Sequence, residues 1–159
     1  MAYYWAGKQR IPLAATRLVA VDVPAAERAK LWSGDVTGEP VTGGIVLVPA
    51  AALTPQLIER LRKAGAAHPV LEHDDTLLVV LPEVRVDTGG AGTAATVRAA
   101  AAAYEGDVDV EQTRPGQLVL RPASGRGEDA LDLANYVYEH AGPAAAQARF
   151  LRITPGDGR

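Results

Sequence analysis

Apolar and polar positions along this chain alternate twice between strand-like and helix-like spacing. In the first half, Val19, Val21 and Val23 share one face of a predicted strand. The sequence Thr54-Pro55 predicts a helix start, because a threonine oxygen caps free N–H groups and proline suits the first turn. The first half thus predicts a strand at 17–23, a helix at 25–32, a weak edge strand near Val36 or Val41, a strand at 45–48, a helix from Pro55 to Gly65 and a strand at 68–71.

The second half repeats this order of elements. The helical spacing of Ala130, Leu133 and Val137 predicts an amphipathic helix with Glu139 on its solvent side. The half predicts a strand at 83–87, a helix at 93–104, strands at 108–111 and 118–120 around the turn Arg114-Pro115-Gly116, a helix at 128–140 and a strand at 147–153.

The repeated order defines the expected fold. Strand, helix, two strands, helix and strand is the βαββαβ order of a ferredoxin-like lobe. A hairpin-like run precedes each copy, at 3–13 and at 69–80. The sequence therefore predicts an α+β protein of two tandem ferredoxin-like lobes, each preceded by a β-hairpin. The expected division is 1–75 for the first hairpin and lobe, and 76–159 for the second lobe with its C-terminal tail.

Composition and charge remove several classes of function. The chain has no cysteine, which excludes disulfides, thiolate metal sites and cysteine nucleophiles. Its formal net charge of −3 predicts no strong attraction to nucleic acid or to an anionic membrane. No cofactor and no metal are expected. The N-terminus lacks a basic segment followed by an apolar run, which predicts a cytoplasmic protein, or a secreted one whose signal peptide has been removed.

Three stretches resemble a known family. They are residues 3–13 (YYWAGKQRIPL), residues 68–79 (HPVLEHDDTLLV), and the segment from DALDLAN at 129–135 to Phe150 and Leu151. In this order they are similar to the N-terminal propeptide of bacterial subtilisin-like serine proteases of the fervidolysin type, in which a hairpin-bearing lobe precedes a ferredoxin-like inhibitor domain. The similarity covers nearly the whole chain.

The resemblance implies an intramolecular chaperone and protease inhibitor. The sheet of the second lobe would dock on the protease, and the segment after the last strand would enter the substrate cleft. That segment is Thr154, Pro155, Gly156, Asp157, Gly158 and Arg159. The chain has neither the His-Gly-Thr nor the Gly-Thr-Ser-Met-Ala motif of the protease itself, so inhibition is expected to act in trans.

The expected docking face is charged. Side chains alternate across a strand, and five charged residues of the second lobe therefore point away from the predicted helices. A charged face favours a partner protein with basic groups, or self-association, over a standard protease surface. The five residues are Glu83, Arg85, Asp87, Asp109 and Glu111.

The motif Asp87-Thr88-Gly89 has two interpretations. Asp-Thr-Gly occurs in aspartic proteases, where two aspartates share a proton, and near the triad aspartate of subtilisin-like enzymes. The second use lacks its serine and histidine motifs, and the first requires a homodimer. The favoured interpretation is a turn that leads into a helix.

Two further groups of residues favour turns over ligand sites. Residues 89–92 (GGAG) precede a helix and offer backbone N–H groups to a phosphate, yet their spacing matches no nucleotide-binding motif. His68, His73, Asp74 and Asp75 are capable of binding metal, but 73–76 falls at an expected hairpin turn. His140 is expected in the last turn of its helix, where it complements the helix dipole.

The aromatic run Tyr3-Tyr4-Trp5 is either an exposed binding platform or a cover for apolar strand positions of the first lobe. Tyrosine and tryptophan dominate interface hot spots, which supports the first interpretation. The second is favoured because that lobe's outward strand face is apolar and needs a cover. Its residues are Leu18, Ala20, Ile45 and Leu47.

The sequence thus predicts a non-catalytic protein-binding module that resembles a subtilase propeptide and acts as a protease inhibitor, chaperone or recruitment domain. Its expected partner is a subtilisin-like protease or another protein, and homo-oligomers are possible. The alternative is a structural or self-assembling protein on the same fold. A dimeric aspartic-type protease that uses Asp87-Thr88-Gly89 is the third hypothesis.

Overall fold

A computed structural model describes residues 2–32 and 38–154 and shows an α+β protein with mostly antiparallel strands. The chain divides into two compact units: unit 1 is Met1–Leu13 with Val80–Phe150, and unit 2 is Ala14–Val79 with Leu151–Arg159. Within the described ranges no helix is long and apolar enough to cross a membrane. The elements are β1 (Ala2–Ala6), β2 (Gln9–Asp22), α1 (Val23–Arg28), β3 (Glu39–Pro40), β4 (Ile45–Pro49), α2 (Pro55–Lys63), β5 (Ala67–His73), β6 (Thr76–Asp87), α3 (Ala94–Ala103), β7 (Val108–Arg114), β8 (Gln117–Pro122), α4 (Gly127–Ala141) and β9 (Ala145–Ile153).

In unit 2 the strands follow the order β3-β4-β2-β5, and each neighbouring pair is antiparallel. Val21, Val48 and Leu61 are fully buried where the two helices pack on this layer. As predicted, α2 begins at the Thr54 cap, whose hydroxyl accepts a hydrogen bond from the Leu57 N–H at 3.1 Å. The predicted edge strand is β3, beside Val41; Val36 lies outside the described residues.

Helix α1 is shorter than predicted, because the chain closes back on it after Arg28. Lys30 has a φ of 60°, in the left-handed region. The Lys30 N–H donates to the Glu27 carbonyl, and the Leu31 N–H donates to the Ala26 carbonyl. This pair of bonds is a Schellman motif, which satisfies the last carbonyls of a helix and stops it. Residues 29–32, predicted as helix, therefore lie beyond its end.

In unit 1 the strands follow the order β9-β6-β8-β7. Val84 and Val86 of β6, Leu120 of β8, and Leu133 and Val137 of α4 are all fully buried. The alternation along β6 and the apolar stripe of α4 therefore form one core, as their sequence spacing predicts. Burying a leucine or valine side chain stabilises a fold by about 1.5–3 kcal/mol, so this core is the main source of the unit's stability.

The N-terminal hairpin, β1 with residues 9–13 of β2, belongs to unit 1. The Asn135 side chain donates to the Tyr3 carbonyl at 2.8 Å, and Tyr4 is buried with its ring against that of Phe150. The ring contacts of the hairpin join Tyr4 to Phe150 of β9 and Trp5 to Tyr138 of α4. That Tyr3-Tyr4-Trp5 covers Leu18, Ala20, Ile45 and Leu47 stays a prediction. The observed units also differ from the expected division at 75/76.

Candidate functional site

The five charged residues predicted for a docking face lie together on the sheet of unit 1. Asp87 is paired with Gln117 and Arg85 with Val119, while on the other side of β8 Asp109 is paired with Arg121 and Glu111 with Val119. Directly paired residues of antiparallel strands project from the same face. Because Val84 and Val86 are buried on the opposite face, these charged residues face away from the core. We call this surface the charged face; its residues are Glu83, Arg85, Asp87, Asp109, Glu111, Arg121 and Arg149.

Arginine–carboxylate pairs order the middle of the charged face. The Arg121 guanidinium lies 3.4 Å from Glu83 and 3.3 Å from Glu111, and Arg149 lies 3.4 Å from the other oxygen of Glu83. The hydrogen bond to Glu111, together with the charge of Glu83, raises the pKa of Arg121 above its usual range. Each pair is at least partly exposed and contributes about 0–1 kcal/mol, so the pairs orient the side chains more than they stabilise the fold.

Sequence reasoning missed Arg121 and Arg149. Arg121 alternates with Val119 along β8, so its position on the outward face was readable from the strand period. The pairing of β9 with β6, which brings Arg149 to Glu83, is a contact between residues far apart in sequence, and no local pattern shows it. The sequence predicted a charged face of four acids and one arginine, and the two further arginines bring this face close to neutral.

Asp87 lies at the end of the charged face, where its carboxylate is 3.7 Å from the Arg85 guanidinium and 44% exposed. With its amide oriented to satisfy both neighbours, Gln117 accepts from Arg85 Nη2 at 2.8 Å and donates to Thr113 Oγ1 at 3.0 Å. An aspartic dyad needs a second carboxylate close enough to share a proton. The described neighbours of Asp87 are instead the Arg85 guanidinium and the Gln117 amide.

The glycine loop after Asp87 allows two segments of the chain to pack closely. The N–H groups of Gly89 and Gly92 donate to each other's carbonyls at 3.1 and 2.8 Å, so neither points at a ligand. A Cβ on Gly92 would come within 2.2 Å of Pro143 Cα. Glycine at 92 therefore allows the loop to approach the segment after α4, and helix α3 then begins with Thr93 as its cap.

The histidines also have structural surroundings. His73 lies 3.3 Å from the Asp74 carboxylate beside a hairpin turn in which Asp74 and Asp75 have positive φ, as the turn interpretation predicts. The ring of His140, in the last turn of α4, lies 2.9 Å from the Tyr136 carbonyl. His68 is buried, its Nδ1 has no hydrogen-bond partner, and burial lowers its pKa. Across the described ranges no three potential metal ligands come together.

Two extended segments carry the remaining residues of the predicted docking region. Strand β7 pairs with β8 alone among the described strands, and five of its seven residues are exposed, which makes it an edge with backbone groups open to another strand. Thr154 follows β9 and is exposed. The rest of the predicted cleft-binding tail, Pro155, Gly156, Asp157, Gly158 and Arg159, lies outside the described residues.

Comparison with known proteins found no match among protein-family models, curated proteins or solved structures.

Proposed function

We propose that this chain is a non-catalytic protein-binding module that docks through the charged face and the adjoining edge strand β7. The observation that carries the proposal is the strand register, which gathers four carboxylates and three guanidinium groups on one solvent-facing layer. Ordered charged groups that project from strands provide geometric specificity for a partner. An edge strand offers main-chain hydrogen bonds to an extended segment.

We further propose that both units are ferredoxin-like lobes. The elements of unit 1 run β6, α3, β7, β8, α4, β9, and those of unit 2 run β2, α1, β3, β4, α2, β5. Numbered within each unit, both strand orders are 4-1-3-2. The shared order supports the tandem arrangement that the sequence suggested.

The partner class we propose is a subtilisin-like protease, and the support for it is the resemblance of residues 3–13, 68–79 and 129–151 to the propeptides of such enzymes. The position of Thr154 directly after β9 is compatible with a segment that extends from the sheet into a cleft. The near-neutral charged face fits a partner that offers both signs of charge better than a purely basic one.

Self-assembly through β7 is the alternative. The acidic residues of β7 disfavour the pairing of two copies of this strand about its central residues. Two antiparallel copies of β7 centred on Val110 would place Asp109 opposite Glu111, and centring on either acid would place that acid opposite itself. Like charges directly opposite each other destabilise a strand pair. The edge therefore fits a different protein better than a second copy.

Inhibition of subtilisin by the purified chain tests the proposal. We expect the full chain to inhibit, and a chain ending at Ile153 to inhibit at least about tenfold less with an unchanged melting temperature, because strand addition supplies much of the affinity. Glu111→Lys should also weaken inhibition, whereas Glu72→Lys, an exposed control in unit 2, should not.

Two results would contradict this proposal. Absent inhibition, or equal inhibition by all four proteins, would reject docking through the charged face and the tail. Peptide cleavage by the chain alone that disappears in Asp87→Asn would replace the binding module with the dimeric aspartic protease.

A further inference from the structure

A second exposed surface of unit 1 combines aromatic rings with acids. The rings of Tyr104 and Tyr136 meet at 5.5 Å, and Trp5 stacks on Tyr138 at 5.1 Å. Tyr136 also stacks on His140 at 4.0 Å, and Glu139 follows Tyr136 by three residues, so both ring pairs lie along α4. We call this surface the aromatic–acidic strip; its residues are Tyr3, Trp5, Tyr104, Asp132, Tyr136, Tyr138 and Glu139, and none of them is fully buried.

Hydrogen bonds hold the carboxylates of the strip in place. Glu139 Oε2 accepts from the Tyr3 hydroxyl at 2.7 Å and from Trp5 Nε1 at 3.1 Å, and Asp132 Oδ2 accepts from the Tyr104 hydroxyl at 2.8 Å. In the described part of the chain, no donor contacts the second oxygen of either carboxylate. Each acid therefore presents one oriented oxygen beside aromatic rings.

The chain's own Arg10 shows which chemistry the strip accepts. The carbon of its guanidinium group lies 4.2 Å from the centroid of the Tyr3 ring and 5.4 Å from that of the Trp5 ring. Both distances lie within the range of cation–π attraction. Arg10 is exposed, and a contact of this kind at the surface is weak enough to exchange with a competing cation.

We propose that the aromatic–acidic strip binds an extended protein segment that carries arginine or lysine side chains, and that Arg10 occupies part of the site when no partner is bound. Two acids and five aromatic rings complement cationic side chains with long apolar stems. The strip lies on the helix layer of unit 1 and not on the charged face. The proposal therefore does not depend on protease binding.

Titration calorimetry with a hexa-arginine peptide at low salt tests the proposal. Arg10→Gln should bind hexa-arginine about two- to fivefold more tightly than the control Arg17→Gln does. Both variants lose one exposed positive charge, but only Arg10→Gln frees the rings of Tyr3 and Trp5. The double variant Asp132→Asn with Glu139→Gln should weaken binding by about fivefold relative to Glu72→Gln with Asp75→Asn, which changes the same charge in unit 2.

A second measurement locates the binding and guards against loss of folding. In nitrogen–proton NMR spectra of the unaltered chain, hexa-arginine should shift the indole signal of Trp5 and leave that of Trp32 in place, while hexa-glutamate should shift neither. Equal affinities within each matched pair of variants, or equal shifts of both indole signals, would reduce the interaction to general charge attraction and overturn the proposal.

Discussion

Replacing Glu139 with alanine tests how the N-terminal hairpin is held to α4. The helical period places Glu139 on the solvent side and predicts a change in stability within about 0.5 kcal/mol. In the structure its carboxylate is the shared acceptor for Tyr3 and Trp5, at 2.7 and 3.1 Å. The substitution therefore removes a link between residues 134 and 136 positions apart in sequence.

The expected magnitude follows from two charge-assisted hydrogen bonds in a solvent-exposed place. Hydrogen bonds to charged groups contribute about 1.5–3 kcal/mol each, and exposure reduces this to about 0.5–1 kcal/mol each. Glu139→Ala should thus lower the free energy of unfolding by about 1–2 kcal/mol. Glu27→Ala, which truncates an exposed glutamate on α1, should change it by no more than about 0.5 kcal/mol.

The effect of Glu139→Ala should depend on pH with a defined sign. The hydrogen bond from Tyr3 is the main cause that lowers the pKa of Glu139 below its usual 4.5. A carboxylate with a lowered pKa in the folded state stabilises the fold above its unfolded pKa, and loses that contribution as the pH falls through its folded pKa. The difference in free energy of unfolding between Glu139→Ala and the unaltered chain should therefore have its full size at pH 7 and shrink below about pH 4.

Urea unfolding of both variants at pH 7 and pH 3.5 measures these differences. Limited proteolysis within residues 2–13 adds a local measurement. The hairpin should be cut faster in Glu139→Ala than in the unaltered chain, and Glu27→Ala should not change the rate of cutting. If Glu139→Ala and Glu27→Ala had the same effect at both pH values, the carboxylate would not anchor the hairpin.

Three further predictions concern buried positions. Leu133→Ala should lower the free energy of unfolding by about 2–5 kcal/mol in urea titrations, because it opens a cavity at a fully buried position; a change below 1 kcal/mol would contradict the packing of α4. Burial lowers the pKa of His68, so stability should be full above the usual value of 6.5 and fall as the pH drops below it, and melting curves of His68→Gln should lack this fall. Gly92→Ala should lower the melting temperature more than Gly7→Ala, because a Cβ at 92 would come within 2.2 Å of Pro143 Cα, whereas a Cβ at 7 meets no atom within 4 Å and adds only the strain of a left-handed φ of 61°.

Local sequence patterns predicted most helices and strands, because apolar spacing and helix caps act over only a few residues. The alternation in β6 and the stripe of Leu133 and Val137 on α4 hold in the structure, since a half-buried strand and an amphipathic helix each have one possible apolar side. The Thr54 cap fixed the start of α2 for the same local reason. The end of α1 was missed because Lys30, a residue that rarely takes positive φ, forms the Schellman closure that glycine usually signals.

The place of the hairpin was not predictable from local patterns. Tyr3 and Trp5 gave an ambiguous signal, because aromatic residues serve both cores and interfaces. The bonds to Asn135 and Glu139 that hold the hairpin join positions more than 130 residues apart, and no period in the sequence encodes such a contact. Arg149 was missed for the same reason. Strand alternation predicted Glu83 on the charged face, but Arg149 reaches Glu83 only through the pairing of β9 with β6.

The layered construction of unit 1 gives the two proposed surfaces different physical characters. Strand alternation places Glu83 and Arg121 on the side of the sheet opposite Val84, where their side chains form an ion pair at 3.4 Å. The helix layer exposes rings of Trp5 and Tyr136 next to carboxylates, which is the composition of interface hot spots. Binding at the charged face should therefore weaken steeply with added salt, whereas binding at the aromatic–acidic strip should retain a salt-resistant part from ring contacts. The contrast begins in β6 and α4, because each element directs its apolar residues into the shared core and leaves polar or aromatic residues on its other face. Residues of β1, β8 and β9 then complete the two surfaces.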